Sequence, residues 1–565
     1  MLSFNFSFRM YRLAVIALAL SSPVAAQPRA ADLIVTNARI YTVDDSRPVV
    51  QAMAIRDGKV AFTGSLREAM ALKGSATKVI DLGGKTVIPG MVDAHAHLLG
   101  LGQSLRTVNL VGTKSYDEVI ARVVARSKTL AAGQWILGRG WDQNQWGDTR
   151  FPTHDALTRA LPNNPVYLER VDGHAGLANA AAMKAAGMTA ATKDPSGGRI
   201  ERAASGEPSG VFVDNAKDLV ERVIPPMSKQ EERGALRAAI AESHRYGLVG
   251  VHDAGESRAT IDLMEEMAKA GEIPFRLYVM ISDDSAAITH YLARGPQSGL
   301  YDNHLWIRTI KLYQDGALGS RGAALLEPYS DDAKNSGLLL SAPAHIQDVA
   351  ARALRAGFQV ATHAIGDRGN RLVLDAYEAA LKGTPVADHR FRIEHAQVIN
   401  HDDIPRFAAL GVIPSMQAVH QTSDMYWAGN RLGASRLLGA YAWRSLMNTG
   451  IVVPNGSDFP VEAVNPLLSF HSAVARQDAE NWPAGGWMPE QRMTREEALK
   501  SMTIWPAFAG FQESMMGSLS AGKLADFVVL DRDIMTVADR DILGTSVIAT
   551  YIGGKAVYEK GAVTP

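Results

Sequence analysis

Cysteine is absent from this 565-residue chain. Its absence excludes disulfides, thiolate ligands, cysteine nucleophiles and iron–sulfur clusters, so any bound metal must be held by histidine, carboxylate or a modified lysine. An excess of one charge is also missing: 58 Lys+Arg against 59 Asp+Glu leave a formal net charge of −1. That balance offers no basic footprint for nucleic acid and favours a small, weakly charged partner. Long apolar runs are scarce, and the stretch Leu13 to Leu20 is too short to span a bilayer. Preceded by Arg9 and Arg12 and followed by SSPVAAQ, it reads as a signal peptide over residues 1–26, cleaved after Ala26. The mature protein is therefore expected to be exported, periplasmic or secreted, without stable membrane insertion; an uncleaved anchor is the alternative. The sequence leaves a homo-oligomer open.

What is present is a β-rich beginning and end around a long alternating middle. ADLIVTNARIYTV, QAMAIRDGKVAFTG and KVIDLGGKTVIPG are short alternating strands broken by DG and GG turns, and GKLADFVVLD, SVIATYIGG and KAVYEKG repeat the pattern. Neither end alone has strands enough to bury a face. Residues 27–88 and 511–565 are thus expected to form one small composite β-sandwich, with two unrelated hairpins as the alternative. Between them, VIPGMVDAHAH, LVGVHDAG, PFRLYVMIS, IRTIKLYQDG, FQVATHAIGD, RFRIEHAQ, GVIPSMQAVH and IVVPNGSDFP alternate with helical patterns such as IDLMEEMAKA, AHIQDVAARALRAG and NRLVLDAYEAALKG. Eight strand candidates separated by helices point to the α/β class and a (β/α)8 TIM barrel, with its first strand in residues 89–103 and the rest in 227–510. Residues 104–226 are too long for one strand-to-helix connection and read as an inserted lid subdomain over the barrel mouth.

Metal-type ligands sit at the ends of these runs: His95 and His97, then Lys311, His363, His395 and Asp458. Residues two apart on a strand project to the same side, so His95 and His97 can share an ion. Imidazole and carboxylate together suit zinc and similar divalent metals. If the barrel closes, His95, His97 and Asp458 become neighbours, with His363 and His395 facing them, enough for one ion or two. Lys311 cannot ligate as an ammonium, but burial or a nearby metal favours its amine. That amine can add CO₂ to give a bridging carbamate; a barrel lysine paired with Asp315 is the alternative. A bound metal brings water's pKa to about 7, and Asp458 can take the proton as hydroxide attacks a carbonyl and return it to the leaving atom. Asp458 could instead be a helix N-cap.

PGMVDAHAH, IKLYQDGALGSRGAAL, VATHAIGDRGN, RFRIEHAQV, PNGSDFPV and GSLSAGKLADFVVLD, in this order, resemble the amidohydrolase superfamily, specifically the amidohydrolase 3 or YtcJ-like family. The resemblance implies a distorted (β/α)8 barrel with a composite β-sandwich and a divalent metal, usually zinc. It implies metal roles for His95, His97, His363, His395 and Asp458, with Asp458 also the proton shuttle. Superfamily members with two metals carry a carboxylated lysine on the fourth strand, where Lys311 falls. GRGWDQNQW and VDGHAGLAN also look like family motifs bordering the substrate site. His174 then donates to the substrate carbonyl, or is structural; Trp141 lines the pocket, or packs. Arg321 meets a substrate carboxylate, or forms a structural ion pair. His420, Met416 and Trp427, after the seventh strand, are expected as pocket walls, and His252 is left out of the ligand set.

The expected activity is hydrolysis of a C–N bond in a small amide, N-acyl or N-formyl compound. An esterase, carbamate hydrolase or lactonase on the same site is the nearest rival. Deaminases of this superfamily place a glutamate near the barrel mouth, and the sequence offers no clear candidate, which disfavours deamination. A non-catalytic periplasmic metal- or solute-binding protein is the rival from another class; it would have no need of a proton shuttle.

Overall fold

A computed structural model of the chain describes Met1 and residues 29–562. Apart from Met1, the expected signal peptide lies outside the described residues. No helix among them is long and apolar enough to cross a membrane.

Eight parallel strands form the centre: β1 (Met91–Ala96), β2 (Leu248–Glu256), β3 (Arg276–Ile281), β4 (Leu305–Tyr313), β5 (Gln359–Ala364), β6 (Arg392–His395), β7 (Ile413–Gln417) and β8 (Asn455–Gly456). They pair in chain order, as a barrel of strand-helix units requires. The helices between them follow the apolar spacing of the sequence. In α1 (Arg258–Lys269), Ile261, Met264 and Met267 face the core, and the Ser257 hydroxyl caps the start by accepting from the Thr260 N–H at 3.1 Å. α2 (Pro343–Ala356) begins with proline at its first turn and ends at Gly357, whose φ of 76° suits glycine. α3 (Asp367–Gly383) buries Val373, Leu374 and Tyr377.

Two strands are shorter than their sequence suggests. GVIPSMQAVH is a strand only to Gln417, and Ala418–Asp424 turns into helix. In IVVPNGSDFP only Asn455–Gly456 enter the ladder, because Pro454 has no N–H to donate. The seam between β8 and β1 is closed by other means. The Asp458 N–H donates to the His95 carbonyl at 2.7 Å, and the His97 N–H to the Phe459 carbonyl at 2.8 Å. The Asp93 carboxylate accepts the Ser457 N–H at 3.0 Å and its hydroxyl at 2.6 Å. Gly456 is required here: a Cβ would lie 2.6 Å from the His95 nitrogen.

The chain ends meet in one eight-stranded sheet, in which Lys73–Pro89 pairs with Ala31–Tyr41 on one side and Phe527–Leu530 on the other. Leu33, Val35, Phe527 and Val529 share its core, so the two ends do not form separate hairpins. The DG turn at Asp57–Gly58 has φ of 52° and 73°, the paired left-handed geometry of a tight hairpin. Between β1 and β2 lies a second, six-stranded sheet running from Val108–Asn109 to Pro208–Asp214, with its own core around Trp141, Leu168 and Val211.

A buried ion pair ties barrel to terminal sheet. Arg276 donates from Nε and a terminal nitrogen to both Asp526 oxygens at 2.9 Å, with both side chains under 5 % exposed. Removing one member strands the other charge, at a cost of about 3–5 kcal/mol. Arg276→Met should therefore lower the denaturant midpoint by that equivalent; an unchanged midpoint would show that the pair adds nothing.

Candidate metal centre

Strand ends carry the six predicted ligands to one place. His95, Lys311, His363 and His395 lie at or near the C-terminal ends of β1, β4, β5 and β6, while His97 follows β1 and Asp458 follows β8. Asp458 Oδ1 is 3.2 Å from His97 Nε2 and 3.5 Å from His95 Nε2. Lys311 Nζ is 3.2 Å from His95 Nε2. The His395 ring centre is 4.8 Å from that of His95 and 4.5 Å from that of His363. His95, His97 and Asp458 alone offer three ligand atoms within 4.8 Å of one another. His395 and Asp458 hold left-handed backbones, with φ of 73° and 59°. Such costly conformations in residues other than glycine persist where surrounding contacts enforce them, commonly at functional sites.

The donor set fits a divalent cation. Burial, and then Lys311, pull His95 down to about 4, and burial likewise holds His363 and His395 well below the ordinary histidine range. All three are neutral at pH 7 and present lone pairs. Burial opposes ionisation of Asp458, but its neighbours, His97 first, outweigh it and hold the carboxyl well below the usual carboxylate range. His363 Nε2 and Asp458 Oδ1 are buried without a hydrogen-bond partner among the described residues, a state a cation would relieve. Burial also lowers Lys311 to about 8, which brings its neutral amine within reach.

Side chains around this set fix its orientation. The Nδ1–H of His95 donates to Glu394, and Glu394 in turn accepts from Arg392 at 3.0 Å. Burial works against Glu394's charge, yet Arg392 and His95 hold its carboxyl at about 2. His395 Nδ1 donates to Gln417 Oε1 at 2.7 Å. Imidazoles anchored in this way keep one tautomer and direct the other nitrogen at the metal. Sequence reading missed Glu394 and Gln417, although Glu394 stands inside the RIEH motif.

The centre floors a cavity of about 920 Å³ lined by both barrel and insertion. His174 enters it from the insertion, its ring 5.1 Å from that of His363 and its Nδ1 donating to Asp214 Oδ1 at 2.7 Å. Asp214 raises His174 above its ordinary value against the effect of burial. Trp141 does not reach the cavity. Its ring is fully buried in the core of the insertion, near Trp146 and Phe151, and its indole N–H donates to the Leu168 carbonyl at 2.7 Å; packing of a large ring claims it. Arg321 is likewise corrected: it forms a two-pronged pair with Asp331 at 3.2 and 2.9 Å, away from the cavity lining.

Met416 is core, while His420 and Trp427 line a neighbouring cavity. The alternatives for Lys311 and Asp458 fail too. Asp315 spends its carboxylate on the N–H groups of Ala324, Ile365 and Gly366 at 2.8–2.9 Å. The following helix, Pro466–Ala475, is capped by Asn465. Glu256 was overlooked as well: it lines the cavity, and burial together with Asp253 pushes its carboxyl well above the usual range. The argument against deamination from a missing glutamate therefore does not hold.

The sequence model of the amidohydrolase family matches residues 78–558. The chain is 33% identical to the putative amidohydrolase YtcJ of Bacillus subtilis, over 92% of this chain and 98% of that protein. It is 30% identical to the N-substituted formamide deformylase of Arthrobacter pascens, over 94% and 98%. Among solved structures, an uncharacterized metal-dependent hydrolase from Pyrococcus horikoshii superposes with a TM-score of 0.73 at 28% identity, covering 90% of this chain and 99% of that one.

Glu394→Gln keeps the size of the side chain but removes the charge that orients His95. Metal affinity should fall about 10–100-fold, measured by competition with a chromogenic chelator. Undiminished affinity would remove Glu394 from that role.

Proposed function

The chain belongs to the amidohydrolase family, a hydrolase acting on C–N bonds, and on that premise we propose that it cleaves the amide bond of a small N-acyl or N-formyl compound. The observation that carries this reading is the meeting of Asp458 with His95 and His97 at 3.2–3.5 Å beneath a cavity of about 920 Å³. His95, His97, His363, His395 and Asp458 would hold the metal, zinc being the best match to imidazole and carboxylate. The ion supplies a Lewis acid that polarises the carbonyl and lowers the pKa of water.

The chain's own groups do the rest. Asp458, held ionised among imidazoles, accepts the proton of the attacking water at its carboxylate and delivers it to the leaving nitrogen. His174 donates a hydrogen bond from Nε2 to the substrate carbonyl oxygen, which gains charge as attack proceeds. Asp214 fixes the tautomer by accepting from Nδ1 at 2.7 Å. Lys311, whose amine burial brings within reach, could add CO₂ with loss of one proton to the solvent, and as that carbamate would be a further anionic ligand should a second ion be held. The name of the Arthrobacter pascens relative favours N-substituted formamides among the candidate amides. Esters pass through the same tetrahedral geometry and form the second group of substrates to try. The sequence pattern before Gln27 supports export to the periplasm or medium.

The test is a panel of formamides, acetamides and esters assayed with metal-loaded and chelated enzyme. Chelation should abolish hydrolysis and readdition restore it; turnover indifferent to chelation would end the metal reading. Asp458→Asn should retain the fold and most of the metal while kcat/KM falls by several orders of magnitude, and activity within tenfold of the parent would exclude Asp458 as the base. Lys311→Ala should lose one of two ions and regain activity with short carboxylic acids. Unchanged metal content there would mean a single-ion centre.

A further inference from the structure

Behind Asp458, next to the active cavity, lie two adjoining cavities of about 430 and 560 Å³. The inner one shares Arg139, Pro460 and Val461 with the active cavity, and it shares Ser423, Trp427 and Glu462 with the outer one. His420 links the inner cavity to the centre: its ring lines the space, and its Nε2 is 3.9 Å from Asp458 Oδ2. That nitrogen, on a residue only 9% exposed, has no hydrogen-bond partner among the described residues. Leu101, Leu105, Val108, Leu318 and Trp427 give it an apolar side, alongside a polar lining that includes Asn109, Arg139, Asp142, Arg170 and Gln397. The outer cavity ends beside Tyr426, which stacks on the exposed Trp482 at 5.1 Å.

Two carboxylates face this space without a direct ion pair among the described residues, although Arg170 acts on Asp424 from a distance. Asp424 accepts from the neutral Gln397 amide and Tyr441 hydroxyl, both at 2.7 Å, and Glu462 has the neutral Ser423 hydroxyl. The nearby guanidinium groups are engaged elsewhere. Arg170 is gripped by Asp142 and Asp172, and Arg139 by Glu169 and the carbonyls of Pro460 and Val171. Lys114, in the outer cavity, is exposed. Burial, with Asp424 and Asp458 nearby, pushes Glu462 up to about 8, and burial with Asp142 pushes Asp424 up to about 7. Half-buried acids of this kind are relieved by an opposite charge.

We propose that the cavity behind Asp458 is a subsite for an ammonium group carried on an apolar chain, held by Glu462 and Asp424. Resting on the amide-hydrolase reading above, this assigns the preferred substrates to N-acyl or N-formyl derivatives of diamines. The scissile amide lies at the centre, the methylene chain runs along Val461 and the Leu101 side, and the free ammonium reaches the two acids. Hydrolysis then releases the acid and a diamine.

The test has a kinetic arm and a binding arm, both on the full mature protein. N-formyl-1,5-diaminopentane should exceed N-formylpentylamine in kcat/KM by tenfold or more, with the difference in KM, and Glu462→Gln should erase that preference. Independently, calorimetry should show pentylamine binding more tightly than 1-pentanol, with the advantage lost in both Glu462→Gln and Asp424→Asn; an unchanged thermal midpoint certifies the folding of each variant. Loss at these acids assigns the ammonium to the cavity rather than to the metal. Equal kcat/KM for the two formamides, with pentylamine binding unmoved by either substitution, overturns the subsite and leaves the amidase reading standing. If no formamide or other amide is hydrolysed but pentylamine binding still depends on Glu462, the subsite stands and the reaction reading falls.

Discussion

The whole centre hangs on one seam, where the last barrel strand meets the first. Asp458 and the His95–His97 pair are over 350 residues apart in sequence, and neither does metal chemistry alone. They are joined by backbone bonds in both directions, His95 carbonyl to Asp458 and Phe459 carbonyl to His97. Because Pro454 shortens β8, the ladder cannot supply enough bonds, and the Asp93 carboxylate substitutes by accepting from Ser457. Gly456 permits the approach by offering no Cβ. A buried acid that accepts two or three N–H or O–H donors is a strong fastener, and here it fastens the residue immediately before the proposed base.

Electrostatics then follow from depth. A cluster of imidazoles buried this far stays neutral because each protonated ring would lose its water. One anion, Asp458, remains ionised among them, and a second, Glu394, is placed one layer below with Arg392 beside it. Arg392 also donates to His252 at 2.8 Å, to the Ala94 carbonyl at 2.6 Å and to Ser415 at 2.8 Å. The barrel interior under the candidate metal centre is therefore polar and cross-linked through Arg392 rather than a stack of aliphatic layers. Buried ion pairs of this kind add little net stability against an apolar filling; what they secure is the direction of His95.

The meeting of the six candidate ligands was legible because a (β/α)8 barrel places strand C-termini on one face, so suitable residues at strand ends converge there. Their supports were hidden for a geometric reason. Adjacent residues on an ideal strand point to opposite sides, and Glu394 beside His395 would then belong to another face. Glu394 shares the interior with Arg392, two residues before it, and the left-handed φ of 73° at His395 breaks the alternation there, so that His395 still reaches the mouth. The insertion resisted reading for a different reason. Its motifs locate a segment near the mouth but do not say which side chain turns inward: Trp141 faces the insertion's own core, and His174 faces the cavity. Arg321 was claimed by Asp331, an acid ten residues away on the same loop, and local pairing of that sort carries no motif.

The same loop that ends in the base also divides the space around it. Asp458 faces the imidazoles, Pro460 and Val461 border both the active and the inner cavity, and Glu462 lies between the inner and outer ones. Over five residues the chain passes from the proposed base, Asp458, to Glu462 of the proposed subsite. Such proximity couples the two: a ligand that shifts Glu462 bears on the segment anchored at Ser457 and Asp458, whose position the seam fixes through Asp93. The rigid end of the loop protects the geometry needed for chemistry, and the far end, past Val461, is free to differ without disturbing it. Selectivity for the part of the substrate that does not react can then change while the metal centre is preserved.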